Sequence, residues 1–195
     1  MLLRYSNGSP FARKPSIAVH LLGLSSKVNM VDHAADPDNT TRHRNPLHKV
    51  PMLMLDDGAQ IFDSPVIMEY LDELAGGGKL FPASGPERYK ALTRLALADG
   101  IAEAAVLILY EDRYHEAAQK SQKWIDHQHG KIERSLEHFN QNIPASFDGA
   151  AIGLFCAITF VERQKNVPDW RGKYPALAAW FEKVGHEPSI KATEP

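Results

Sequence analysis

A chain of 195 residues has room for one large domain or two small ones around a genuine hydrophobic core. At 44% hydrophobic and 24% charged its composition excludes a disordered chain, and no stretch approaches the ~20 apolar residues that a membrane span needs. The 22 Lys and Arg stand against 24 Asp and Glu, a net charge of −2 with no basic run interleaved with aromatics, so neither nucleic acid nor a membrane is an expected partner.

The first element is a short apolar strand at Leu2, Leu3 and Tyr5, which turns directly into a helix. Gly8 supplies the turn, Ser9 is a candidate N-cap, and Pro10 fits the first helical position. Helical spacing of Phe11, Ile17, Val19, Leu21 and Leu22 runs to a stop at Gly23, with Arg13 and Lys14 as polar members. Pro15 falls early enough to disturb the hydrogen-bond ladder without ending it. Val28 to Val31 reads as a second strand, and the crossover is long enough to make it parallel to the first. A polar, turn-rich stretch from Asp36 to Asn45 follows. Val50 to Leu55 is the third strand, and Asp56-Asp57-Gly58 turns it into an antiparallel Gln60-Ile61-Phe62. Asp63-Ser64-Pro65 then opens a helix by what reads as the same device as Ser9-Pro10, a capping hydroxyl and then proline. Its apolar stripe is Val66, Ile67, Tyr70, Leu71 and Leu74.

Ala75 to Pro86, with three consecutive glycines, is the clearest linker. Beyond it only helices are expected: Glu87 to Tyr114 (one or two), Gln119 to Asn140, a buried one from Phe147 to Gln164, and an amphipathic one from Pro175 to Gly185. The expectation is therefore an α/β unit over residues 1–75, a linker over 76–86 and an all-α unit over 87–195. The single cysteine, Cys156, permits no intrachain disulfide and sits in an apolar run as a buried, inert thiol. The opening residues lack the basic and long apolar regions of a signal peptide, which makes a cytoplasmic location the expectation.

Three positions in the first unit have the chemistry to converge on one ligand. Ser9 places a hydroxyl at a helix start, where free N–H groups favour an anion or thiolate. Pro51 heads a strand without an N–H to pair, leaving the Val50 main chain for a visitor. Asp63-Ser64 offers a second helix start suited to a carboxylate. Each is also an ordinary helix-start or strand-edge sequence, and singly none specifies a ligand. No metal site is expected: His127 and His129 do not share a helix face, and His43 and His48 lack metal-binding spacing and companions.

Taken in order, Ser9-Pro10-Phe11-Ala12-Arg13-Lys14, Asn45-Pro46-Leu47-His48-Lys49-Val50-Pro51 and Asp63-Ser64-Pro65-Val66-Ile67 resemble the thioredoxin-like N-terminal domain of cytosolic glutathione S-transferases. Trp170-Arg171, Tyr174 to Trp180 and Pro188-Ser189-Ile190 are similar to the ending of bacterial members. The resemblance implies glutathione as co-substrate, a hydrophobic electrophile as acceptor, and a homodimer with the site between the domains. It implies that Val50 pairs with the cysteinyl part of glutathione with Pro51 cis, and that Asp63 and Ser64 hold the γ-glutamyl end. Lys49, then His48 or Arg13, balances the glycine carboxylate; solvated surface charge is the other reading for Lys49 and Arg13. Ser9 is the expected donor to the glutathione thiolate, with Tyr5 and Ser6 as rivals. The absence of a cysteine there argues against thiol-exchange members of the family. A non-catalytic binding module on the same fold, or a peroxidase or dehalogenase, is the alternative. Tyr110, Tyr114 and Trp170 are candidates either for the electrophile pocket or for the core. One departure stands out: Ser146-Phe147-Asp148-Gly149 has glycine where such proteins carry a capping aspartate, so Asp148 is either a shifted substitute or a weaker cap.

Overall fold

The computed structural model describes residues 1–6, 8–32 and 45–194. The turn-rich stretch from Asp36 lies outside the described residues except for Asn45, as does Asn7 of the first turn. Four strands, β1 (Leu2–Tyr5), β2 (Asn29–Asp32), β3 (Met52–Met54) and β4 (Gln60–Ile61), form one sheet in the order β2-β1-β3-β4. As expected, β1 pairs parallel with β2 and β3 pairs antiparallel with β4; β3 also pairs antiparallel with β1. Leu3, Leu53 and Ile61 are register partners across β1, β3 and β4, and Leu3 and Leu53 are fully buried. The third strand is shorter than its apolar run, because Val50 and Pro51 lie ahead of the ladder. Leu55 N–H donates to the Ala59 carbonyl at 2.8 Å and closes the hairpin around Gly58, whose φ of +88° suits a residue without Cβ.

Helix α1 (Pro10–Leu21) packs against β1, against α2 (Ser64–Leu74) and against the helical unit. It runs unbroken through Pro15 and ends where Gly23 takes a φ of +69°. Being covered on all sides, it carries its cations inside. Arg13 is 7% exposed and Lys14 1%, which overturns the surface-charge reading of Arg13. Lys14 is neutralised by Asp99. The Arg13 guanidinium lies 5.3 Å from the centre of the Phe155 ring, and its Nε donates to Thr193 Oγ1 at 3.4 Å.

The helical unit consists of α3 (Gly85–Tyr114), α4 (Gln122–Gln141), α5 (Gly149–Gln164) and the shorter α6 (Trp170–Lys173), α7 (Pro175–Val184) and α8 (Pro188–Lys191). A 3₁₀ turn at Ala117–Gln119 separates α3 from α4. No described residue beyond Ile61 is in a strand. The stretch from Gly85 to Tyr114 is one helix, and it starts two residues earlier than its apolar pattern indicates. Helix α5 is the hub, packed against both α3 and α1, with every residue from Gly149 to Ile158 buried. Cys156 lies within it, and burial pushes its thiol up to about 12, against the milder pull of Arg13 and Lys14, so it is inert. Phe155 stacks on Phe181, and Trp170 meets Phe181 edge-on at 5.5 Å, so Trp170 is core and not pocket lining.

The glycine-rich linker is held in place. The Asp72 carboxylate, 4% exposed near the end of α2, accepts N–H bonds from Gly78, Lys79, Leu80 and Phe81 at 2.9–3.2 Å. Leu80 in turn accepts from the Gly149 N–H at 3.0 Å. A Cβ on Gly149 would stand 2.4 Å from Phe81 Cζ, so glycine is required for the linker to dock on the start of α5. The helix is nevertheless capped: Asp148 Oδ1 accepts from Ala151 N–H at 2.9 Å, and Oδ2 meets Arg94 at 3.3 Å. The departure at Gly149 is thus a one-residue shift of the cap.

Candidate functional site

The register of the sheet brings the three motifs to one place. Arg4 faces Met52, and Leu53 faces Ile61. Continuing one pair outward sets Tyr5 beside Pro51, and two pairs along the other ladder set Pro51 beside Asp63. The end of β1, the start of β3 and the end of β4 therefore share one end of the sheet. Helices α1 and α2 both begin there, each with a proline in its first two positions and so with fewer first-turn N–H groups to offer.

At the first helix, Ser9 has the extended backbone of an N-cap, and its Oγ accepts the Ala12 N–H at 3.3 Å. The Ser9 N–H donates to the Ser6 carbonyl at 3.0 Å, which closes the turn behind it. Because Oγ serves the helix as an acceptor, its own proton is left to donate outward. Ser9 is half-buried, as are Tyr5 and Ser6.

At the second, the Val50–Pro51 bond is cis. Among the described residues, neither the N–H nor the C=O of Val50 makes a hydrogen bond. The approach to it is built by Asn45, a buried residue that sequence reasoning quoted without giving it a role. Its Oδ1 accepts from Leu47 N–H at 2.9 Å and its Nδ2 donates to the Lys49 carbonyl at 2.8 Å. His48 N–H donates to the Asn45 carbonyl at 2.8 Å, and His48 takes a φ of +54°. Asn-Pro at a loop start, with a side chain able to bond its own backbone two residues on, was the available signal. Lys49 is exposed and makes no ion pair among the described residues.

The third motif differs from expectation. The cap of α2 is Asp63, not Ser64; Ser64 is the first helical residue and Pro65 the second. The Asp63 carboxylate makes no capping bond, and the first helical bond is Ile67 N–H to the Asp63 carbonyl at 3.0 Å. Ser64 is 1% exposed, and its hydroxyl makes no hydrogen bond to a described residue. A carboxylate and a hydroxyl at this helix start are both uncommitted.

One acidic group sits nearby. Burial holds the Asp99 carboxyl on α3 above the ordinary carboxylate range; Lys14 opposes this, and the charges of Asp63 and Glu103 add to it. Arg13 is drawn away from the ligand role, since its guanidinium is committed to Phe155 and Thr193. Tyr114 is exposed and meets Tyr110 edge-on at 5.3 Å. No cluster of metal-binding side chains occurs among the described residues, and none of their helices is long and apolar enough to cross a membrane. A groove of about 630 Å³ lies elsewhere, between α3, α4 and the start of α5; its Lys90 and Arg94 are already paired with Glu87 and Asp148.

Residues 8–74 match the family model of the glutathione S-transferase N-terminal domain. Over the whole chain the sequence is 32% identical to the uncharacterized GST-like protein YibF of Escherichia coli K12, covering 98% of that protein. The structure is similar to a glutathione transferase family member from Pseudomonas fluorescens Pf-5 solved with bound glutathione, with a TM-score of 0.91 and 35% identity across 100% of this chain and 98% of that one. A glutathione S-transferase from Methylobacillus flagellatus KT, also solved with glutathione bound, gives a TM-score of 0.91 and 33% identity over the same shares.

Proposed function

The chain belongs to the glutathione S-transferase family, and from that premise we propose that it binds glutathione at the shared sheet end and joins its sulfur to an electrophilic small molecule. The observation that carries this is the free main chain of Val50, at the same end of the sheet as the Ser9 hydroxyl, whose proton is free to donate, and the uncommitted Asp63 and Ser64. An extended tripeptide fits that order. Val50 pairs with its middle residue, and the Ser64 hydroxyl with the first turn of α2 takes the γ-glutamyl carboxylate. Asp63 takes the ammonium, and Lys49 meets the glycine carboxylate. Two relatives of similar length and fold carry glutathione, which supports the same ligand here.

Ser9 acts as a hydrogen-bond donor and the nucleophile is the ligand's sulfur. A free thiol has a pKa near ~8.5, so a few per cent is ionised at neutral pH. Lowering it by ~2 units takes about 2.7 kcal/mol of preferential stabilisation of the thiolate. One charge-assisted hydrogen bond from Ser9 together with the first turn of α1 is of that size. The thiol proton passes to solvent, the thiolate forms a C–S bond with the electrophile, and the leaving group takes the displaced electron pair. A homodimer belongs to the same proposal; the exposed apolar side chains of Leu47, in the Asn45 loop, and of Val66, in the first turn of α2, support it, and sedimentation velocity measures it.

Retention on glutathione-agarose tests binding, and turnover of chlorodinitrobenzene by wild type and Ser9→Ala tests chemistry. Retention without turnover over a broad electrophile panel makes the chain a binding module. Full turnover by Ser9→Ala reduces Ser9 to a cap.

A further inference from the structure

Arg163, in the last turn of α5, reaches across from the helical unit to the turn that carries Ser9. Its Nη2 donates to the Gly8 carbonyl, the residue immediately before Ser9, and its guanidinium lies 5.1 Å from the centre of the Phe160 ring. A cation in a last helical turn is ordinary, because the helix dipole favours it there. Its partner is a main-chain carbonyl. Among the described residues no carboxylate lies within ion-pair distance of Arg163, as is also so for Arg13, Arg113 and Arg134, whereas Arg88, Arg94 and Arg171 have carboxylate partners. The adjacent Glu162 is turned to Arg171 and to the Trp170 ring N–H. The exposed Lys165 two residues on adds a second positive charge to the same helix end.

A guanidinium has five N–H donors in a planar fork that matches a carboxylate. One donor is spent on Gly8, which fixes the group beside the Ser9 turn while the rest stay available. Consecutive Cα atoms are only ~3.8 Å apart, and the carbonyl that Arg163 bonds belongs to the residue next to the one whose hydroxyl is assigned to the thiolate. We infer that Arg163 is a specificity-determining residue for the acceptor: the electrophiles this chain conjugates carry a carboxylate close to the reacting carbon, and Arg163 pairs with it. The inference rests on the glutathione-conjugating reading above and names the acceptor class within it.

Binding tests this without depending on turnover. Calorimetric titration of wild type, R163Q and R163K compares glutathione, S-propylglutathione and S-(2-carboxyethyl)glutathione. The last two place a methyl group or a carboxylate at the same distance from sulfur. Wild type is expected to prefer the carboxyethyl form ~10-fold, the size of one partly exposed charge-assisted contact. R163Q is expected to bind both equally, with glutathione affinity unchanged, and R163K to keep part of the preference. No preference in wild type overturns the inference, as does a preference that survives in R163Q. A uniform loss of affinity for all three ligands in R163Q also overturns it and leaves Arg163 as a brace for the Gly8 turn. If wild type binds none of the three, the glutathione reading itself fails and takes the inference with it; binding of glutathione without a carboxylate preference sinks only the inference.

Discussion

Helix α2 carries an aspartate near each end, and the two have opposite fates. Asp63 caps the helix through its backbone alone and leaves its carboxylate unbonded, next to a Ser64 hydroxyl and a Val50 main chain that are also unbonded. Asp72, nine residues on, accepts four backbone N–H groups and is buried. Polar groups withdrawn from water are normally paired, because an unmade hydrogen bond costs more than a made one contributes. Saturation at Asp72 therefore marks architecture: it fixes the linker that docks on Gly149. Asp63 is exposed, so water satisfies its carboxylate, and on the reading proposed above the ammonium of glutathione takes the place of that water. The two ends of one helix thus set a structural anion against one proposed to meet a ligand.

The largest expected effect breaks the saturated end. Asp72→Ala strips partners from the buried Leu80 and Phe81 N–H groups and lowers unfolding free energy by about 3 kcal/mol or more in urea titration. Linker and α5 are joined through Leu80 and Gly149, so the loss should appear as a single cooperative transition. A change below ~0.5 kcal/mol means the four bonds are incidental and the contrast with Asp63 is empty.

At the open end, Ser9→Ala is expected to lower turnover of chlorodinitrobenzene by ~10²-fold, the equivalent of about 2.7 kcal/mol. Its stability cost is only that of a cap, ~1 kcal/mol. A rate loss larger than the stability loss is the signature of a group facing the ligand. Asn45→Ala comes next. It removes the two side-chain bonds that shape the Val50 approach, and is expected to raise KM for glutathione about tenfold with kcat little changed. An unaltered KM places the Val50 presentation elsewhere.

Most of the fold was legible because its signals are local. Gly8, Ser9 and Pro10 spell a helix start in three residues, and the apolar spacings placed the long helices to within a few residues. The α2 cap was misplaced by one residue because Asp, Ser and Pro all suit a first turn, and only the backbone decides which leads. Arg13 allows a surface-charge reading because polarity is visible in sequence and the packing that buries its helix is not. Asp72 and Arg163 were invisible for the same reason. Their partners are six to nine and 155 residues away, and neither spacing is a motif. The three site motifs were legible one at a time, but that they share one end of the sheet follows from register, which needs the pairing itself.

Asp99 joins the two kinds of region, since it neutralises buried Lys14 while its carboxyl feels the charge of Asp63. Its carboxyl is raised above 3.8, first by burial, with Lys14 opposing and Asp63 and Glu103 adding. A raised carboxyl holds its proton more tightly in the folded state than in the unfolded one. The stability it contributes is thus full below pH 3.8 and is lost as pH rises through the folded-state value. Asn at this position keeps the shape and cannot titrate. The stability of wild type relative to Asp99→Asn should therefore fall as pH rises from the ordinary carboxylate range toward neutrality, read from urea midpoints at each pH. This is the smallest effect of the four, and its sign is the test. A relative stability that rises with pH means the Lys14 attraction outweighs burial, and Asp99 then belongs with Asp72 as a saturated structural anion and not with the half-open acidic edge of the site.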